Sequence, residues 1–198
     1  MSSSDPARTA IDWGRLAQAL AFYEARGFER VELDWHASRT ISAWTCPDAQ
    51  RMYAFDDDVL VGSAEQGFMQ AQVEGRLVPG KRYVALTPCF RREPVLSDTH
   101  RLQFMKVELY TAGTCSLEEA HALASVAKDC LKALGSCPVE VVPTPEGLDL
   151  EIAGLEVGSY AARRHGEHAW TCGTGLAEPR FSIAVNRHKT AASIKKTD

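Results

Sequence analysis

The 198-residue chain has no long apolar run. A helix that crosses a bilayer needs about 20 apolar residues in succession, so a membrane-spanning helix is excluded. The opening MSSSDPARTA lacks the charged-then-apolar order of a secretory signal, and a cytoplasmic protein is expected. No CxxC pair occurs. Cysteines at 46, 89, 115, 130, 137 and 172 are scattered, and are expected to be reduced thiols rather than a disulfide framework. Nor is there an excess of positive charge: 22 Lys and Arg stand against 26 Asp and Glu, a formal net charge of -4. That balance argues against non-specific coating of nucleic acid. Only the end, NRHKTAASIKKTD, is basic, and it reads as a solvated, poorly ordered tail, separated as residues 191–198. There is no internal repeat and no low-complexity linker. With 45% apolar residues, the chain suits one domain over 1–190 with a sizeable core.

What is present is patterned. Ile11 to Arg26 predicts an amphipathic helix, with Leu16, Ala19, Leu20 and Tyr23 on one face and Gly27 at its end. FERVEL alternates as a strand, and VLVG suits a buried one. SAEQGFMQAQVEG predicts a helix from Ser63, with a Ser63–Gln66 capping box. KRYVALTPCFRRE and LQFMKVELYTAG predict two strands around the loop PVLSDTH. SLEEAHALASVAKDCLKALG is the clearest helix, boxed by Ser116 and Glu119 and closed by Gly135. VEVVPT, LDLEIAGLEVGSYAA and HAWTCG read as further strands. GLAEPRFSIAVNRHK reads as a short Gly loop leading into a closing helix. The fold class is α+β, a mostly antiparallel sheet flanked by helices.

The chemistry gathers in TPCFRREPVLSDTHRLQFMKVELY. Arg91 and Glu93 are two apart, and so are Phe104, Lys106 and Glu108; in strands each set shares a face. Arg binds phosphate or carboxylate bidentately, an aromatic ring stacks on a base, and Glu accepts from an amine. A pair of surface strands with cross-strand ion pairs would account for the isolated charges equally well.

The order of segments decides between these. TPCFRREPVLSDTHRLQFMKVELY resembles motif 2 of class II aminoacyl-tRNA synthetases. CGTGLAEPRFSIAV resembles motif 3, LEVGSYAARR the strand before it, and VGSAEQGFM a loop reading Thr-x-Glu in several of these enzymes. The seryl branch is most similar, over Phe22 to Val185, and the chain looks like a stand-alone truncated homologue similar to amino acid:carrier protein ligases. The resemblance implies a class II synthetase-like catalytic core that uses ATP and Mg²⁺. It implies that Arg91 holds the ATP α-phosphate and the substrate carboxylate, and that Glu93 lies on the adenine side. Phe104 would stack on adenine, with Arg180 on its other face near the γ-phosphate. Glu156 would help hold Mg²⁺, with Ser159 beside it. Ser63, Glu65 and Glu108 would form the amino-acid pocket, the two carboxylates reading the α-ammonium group.

Two departures refine this. The segment GFERVELDWHAS has no Pro where motif 1 carries one at its dimer contact, so a homodimer is expected by analogy without its details. There is no room for an anticodon-binding domain or a tRNA-binding arm, so a whole tRNA read at its anticodon is not the expected acceptor. Some seryl-like relatives hold zinc with Cys, Glu and Cys. Glu108 and Cys172 fall near two of those places, but Ser63 stands at the third, and the metal-free pocket is preferred. His165 and His168 beside Cys172 are read as surface residues, and Cys89 as core. The expected protein is a ligase that forms an aminoacyl-adenylate and passes the aminoacyl group to a non-tRNA or minimal acceptor. That acceptor, whether carrier protein, small molecule, nucleobase or RNA, is not identified. The alternative is a catalytically silent paralogue that binds amino acid or nucleotide and regulates a partner. A third reading, a structural domain with fortuitous motifs, conflicts with the ordered matches.

Overall fold

A computed structural model describes residues 9–194. The readings of the first eight residues and of the last four tail residues fall outside that range. The chain begins with α1 (Trp13–Glu24), where Asp12 caps the helix by accepting from the Arg15 N–H at 3.0 Å. Leu16, Ala19, Leu20 and Tyr23 are its buried face, as the spacing predicts. Of FERVEL only Glu29–Arg30 pairs, as β1. A small sheet follows, built from β2 (His36–Ser38), β3 (Tyr53–Phe55) and β4 (Asp58–Leu60) in the order β2-β4-β3. Between β2 and β3 lie a short α2 (Arg39–Ser42) and a 3-10 turn at Ala49–Arg51.

The main sheet takes its strands from β5 (Arg82–Phe90), β6 (Gln103–Ala112), β7 (Glu140–Thr144), β8 (Gly147–Ile152), β9 (Leu155–His165) and β10 (His168–Glu178). With β1 it has seven strands in the order β1-β5-β6-β10-β9-β8-β7. Only the β1–β5 pair is parallel. LDLEIAGLEVGSYAA is thus two strands; Ala153 and Gly154, both at positive φ, make the tight turn between β8 and β9.

Three helices cover one face: α1, α4 (Leu117–Gly135) and α5 (Arg180–Ile194). Leu123 and Leu131 of α4, Tyr23 of α1 and Phe181 of α5 meet Val107, Leu109 and Leu176 of the sheet in one core. Each such side chain, fully buried, stabilises by about 1.5–3 kcal/mol. On the opposite face α3 (Ala64–Val73) packs Phe68 and Met69 against Tyr83, Tyr110 and Trp170. Because residues alternate along a strand, Lys106, Glu108 and Tyr110 of β6 point to the α3 side while Val107 and Leu109 enter the first core.

Several local expectations change. The stretch GLAE is strand rather than loop: β10 runs through it to Glu178, with an irregularity between Thr174 and Leu176. Gly173 is required by close approach, since a Cβ there would lie 2.0 Å from the Tyr160 ring. Helix α5 continues to Ile194, past residue 191 where the sequence places the tail. At the end of α4, Ser136 takes the left-handed conformation and Gly135 stays helical, where a Cβ would meet Cys137, Val185 and Phe181. The cysteines within the described residues are free thiols. Among the described residues no helix is long and apolar enough to cross a membrane.

Candidate active site

The α3 side of the sheet carries two adjoining cavities. The outer one, about 1160 Å³, is lined among others by Arg91, Phe104, Lys106, Glu156, Ser159 and Arg180. The inner one, about 260 Å³, is lined by Ser63, Glu65, Glu108, Arg163 and Cys172, and again by Arg91, Lys106 and Ser159. The shared residues place the junction at Arg91. The ten site residues expected from the sequence therefore all line one or both chambers.

Their backbone settings differ from expectation. β5 ends at Phe90, so Arg91 and Glu93 are not strand residues on one face. The Arg91 N–H still donates to Leu102 O at 2.9 Å, while along the other edge the Phe90 N–H donates to Val61 O at 2.8 Å and the Arg92 N–H to Arg51 O at 3.1 Å. Arg91 Nε then donates to Gly62 O at 2.6 Å, and its guanidinium lies 5.2 Å from the Phe104 ring centroid. Arg91 therefore covers the ring that the resemblance assigns to adenine. Glu93 is ion-paired with Arg51 at 2.7 Å, a partner the sequence reading did not foresee. Arg180 Nη1 donates to Glu156 at 2.9 Å, and its Nη2 donates to Thr99 O at 3.1 Å, tying the start of α5 to the loop before β6.

In the inner chamber Ser63 starts α3, but its hydroxyl makes no cap bond. Gln66 Oε1 instead accepts from the Gly62 N–H at 2.7 Å. Ser63 Oγ is left to accept from Lys106 Nζ at 3.2 Å and to donate to Glu108 at 3.4 Å. The expected capping box is thus absent because its serine is used by the pocket. Glu65 accepts from Trp170 Nε1 at 2.7 Å and Cys172 Sγ at 3.1 Å, and Arg163 Nε lies 3.6 Å from it. Lys106, Arg163, Trp170 and Arg51 were given no role from the sequence. Only Lys106 carried a signal, its place on the Phe104–Glu108 face; the others arrive through long-range pairing.

Burial pushes Glu108 up to about 7; Glu65 adds to the rise, and Lys106 opposes it. Burial would lower Lys106, but the Glu108 carboxylate more than offsets it and its pKa is raised. Burial raises the Cys172 thiol, and the Glu65 and Glu108 charges raise it further. Zinc binding needs a thiolate and free carboxylate oxygens. Here the Cys172 thiol donates to Glu65, the Lys106 ammonium is paired with Glu108, and Ser63 brings a hydroxyl where a third ligand would need a thiolate. Among the described residues no three His, Cys, Asp or Glu side chains gather as a metal site. His165 and His168 stack on Trp44 instead, at 4.4 and 5.4 Å between ring centroids. Magnesium is a different case: it takes hard oxygen donors, usually one or two carboxylates with substrate phosphates. Glu156 and Ser159 supply such oxygens on the wall of the outer chamber, and they fit.

No protein-family model matches the sequence, and no curated protein matches it. Solved structures do match in fold. A pyrrolysyl-tRNA synthetase of Desulfitobacterium hafniense, PylSc, superposes with a TM-score of 0.70 at 18% identity, over 86% of this chain and 67% of that one. Another structure of pyrrolysyl-tRNA synthetase from the same organism gives 0.71 at 16%, over 88% and 70%. Seryl-tRNA synthetase from Pyrococcus horikoshii, in complex with ATP, gives 0.69 at 19%, over 86% of this chain and 49% of that enzyme. The chain thus spans about half the length of the seryl enzyme. The fold is that of class II aminoacyl-tRNA synthetase catalytic cores, as the motifs imply.

Proposed function

We propose that the chain is an ATP-dependent ligase that activates an amino acid as its adenylate and passes the aminoacyl group to a non-tRNA or minimal acceptor. One observation carries the reading: a large chamber and a small one meet at Arg91. A nucleoside triphosphate suits the outer chamber, where Phe104 offers a ring and Arg180 a cation. A small zwitterion suits the inner one, where Glu65 and Glu108 face the space.

The chemistry follows from the placement. An oxygen of the amino-acid carboxylate attacks the α-phosphorus, the bond to the bridging oxygen breaks, and pyrophosphate leaves with that electron pair. No side chain acts as nucleophile. Arg91, at the junction, would touch both the carboxylate and the α-phosphate and neutralise charge as it builds. To do so it must leave the face of Phe104, which frees the ring for the base. Arg180 would neutralise the distal phosphates. Bound at Glu156 and Ser159, Mg²⁺ would supply further charge neutralisation there.

Amino-acid-dependent exchange of labelled pyrophosphate into ATP tests the reading, each amino acid being tried singly. Exchange with one or two of them supports it. Binding of ATP and amino acid without exchange would favour a silent binding paralogue. A homodimer and a cytoplasmic setting belong to the same proposal.

A further inference from the structure

Glu65 and Glu108 both line the inner chamber, but they are held differently. Glu108 is met by a cation: the Lys106 ammonium is ion-paired with its Oε2, and Ser63 Oγ donates to the same oxygen at 3.4 Å. The hydrogen bonds to Glu65 come from neutral donors. Trp170 Nε1 donates to its Oε1 at 2.7 Å and Cys172 Sγ to the same atom at 3.1 Å, while Arg163 Nε stands off from it at 3.6 Å. All three contacts fall on Oε1. Oε2 takes none of the hydrogen bonds or ion pairs among the described residues and keeps accessible surface, so it opens on the chamber that Glu65 lines.

A neutral donor orients a carboxylate without cancelling its charge. An indole N–H can only donate, so it fixes Oε1 as the acceptor, and the thiol beside it is a weak donor. Trp170 and Cys172 are two apart on β10 and so share the face turned to α3, where Glu65 stands in the first turn. The indole is itself held: Trp170 is 1% exposed, packs in the core under α3, and stacks on Trp44 at 6.2 Å between ring centroids. It does not line the chamber, so it reaches a ligand there through Glu65 alone. Ordering a long side chain on binding costs affinity, and a carboxylate fixed beforehand avoids that cost.

We propose that Trp170 is a positioning residue of the inner chamber: its indole N–H holds Oε1 of Glu65, so that Oε2 is presented to the α-ammonium group of the substrate. The inference rests on the reading of the inner chamber as an amino-acid pocket.

The test is calorimetric binding of two adenylate analogues to the full chain, 5′-O-(N-glycylsulfamoyl)adenosine and 5′-O-(N-acetylsulfamoyl)adenosine, which differ only in the α-ammonium group. The wild type should bind the glycyl analogue at least about tenfold more tightly, as a charge-assisted bond requires. Trp170→Phe, which keeps a ring and removes the N–H, should lose most of that preference while the acetyl analogue changes less than about threefold. Cys172→Ala, which removes the weaker donor, should lose less of it. A Trp170→Phe variant that keeps the full preference would overturn the proposal alone, and so would one that weakens both analogues alike, the mark of a merely structural residue. Equal binding of the two analogues by the wild type, or binding of neither, would overturn the amino-acid pocket and the proposal together.

Discussion

At the scale of single residues, Arg91 carries the largest expectation. It sits at the junction of the chambers, held by one bond to Gly62 O and by the face of Phe104. Removing a charge-stabilising donor of this kind costs about 100- to 1000-fold in rate. Arg91→Ala should therefore lower pyrophosphate exchange by about that factor while the circular dichroism spectrum stays that of the wild type. Exchange at the wild-type rate would remove Arg91 from the site. Glu108 gives a pH signature. Its carboxyl is raised to about 7, so it is largely protonated in slightly acid solution. An α-ammonium group prefers the carboxylate, so the KM for the amino acid should rise as pH falls below about 7. In Glu108→Gln that inflection should vanish. A KM profile identical in the two proteins would mean that Glu108 does not read the ammonium.

At the scale of elements, two residues at element ends should behave differently. Ser116 caps α4, its hydroxyl accepting from the Glu119 N–H at 3.3 Å. Loss of such a cap costs about 1 kcal/mol, so Ser116→Ala should lower stability by that amount in urea unfolding. The reciprocal half of the expected box does not form, because the Glu119 carboxylate is taken by Arg82 and Thr111. Glu178, the last residue of β10, is buried, with one oxygen accepting from Ser182 Oγ at 2.8 Å and the other without a partner. Burial raises it to about 7, against the pull of Ser182 and Arg15. Its folded pKa thus lies above the ordinary value of 4.5. Between these two values the native state keeps a proton that the unfolded chain releases, so stability falls as pH rises through this window. Glu178→Gln should match the wild type in melting temperature near pH 4.5 and exceed it at pH 8. A lower melting temperature at pH 8 would show that the ionised carboxylate is stabilised there.

At the scale of the molecule, one sheet separates two environments. Helices α1, α4 and α5 close an apolar core on one face, and α3 with the small sheet builds the charged chambers on the other. The candidate site is thereby set on the face opposite the first core. The homodimer proposed from the likeness to synthetases is open to sedimentation equilibrium at micromolar concentration, with a mass near twice 21.7 kDa expected. Trp35, 58% exposed, stands in the segment where the resemblance places the contact. Trp35→Glu should shift the equilibrium toward monomer, and a monomeric wild type would end the proposal.

What the sequence determined by itself was local and periodic. The buried face of α1, the helix α4 with its cap, the strands β5 and β6 and ten of the residues lining the chambers could be read from spacing and from the resemblance of the motifs. These depend on a short stretch of chain, where period and neighbour suffice. Tertiary structure decided the rest, because each case turns on partners distant in sequence. Glu65 meets Trp170 across 105 positions and Cys172 across 107. Arg51 takes Glu93 across 42. Ser63 has the spacing of a cap, yet its hydroxyl turns to Lys106 and Glu108, because two buried charges compete for it more strongly than a helix end that Gln66 already serves. Arg163 is an ordinary strand arginine until α3 packs on the sheet, and only then does it pair with Glu65 at 3.6 Å.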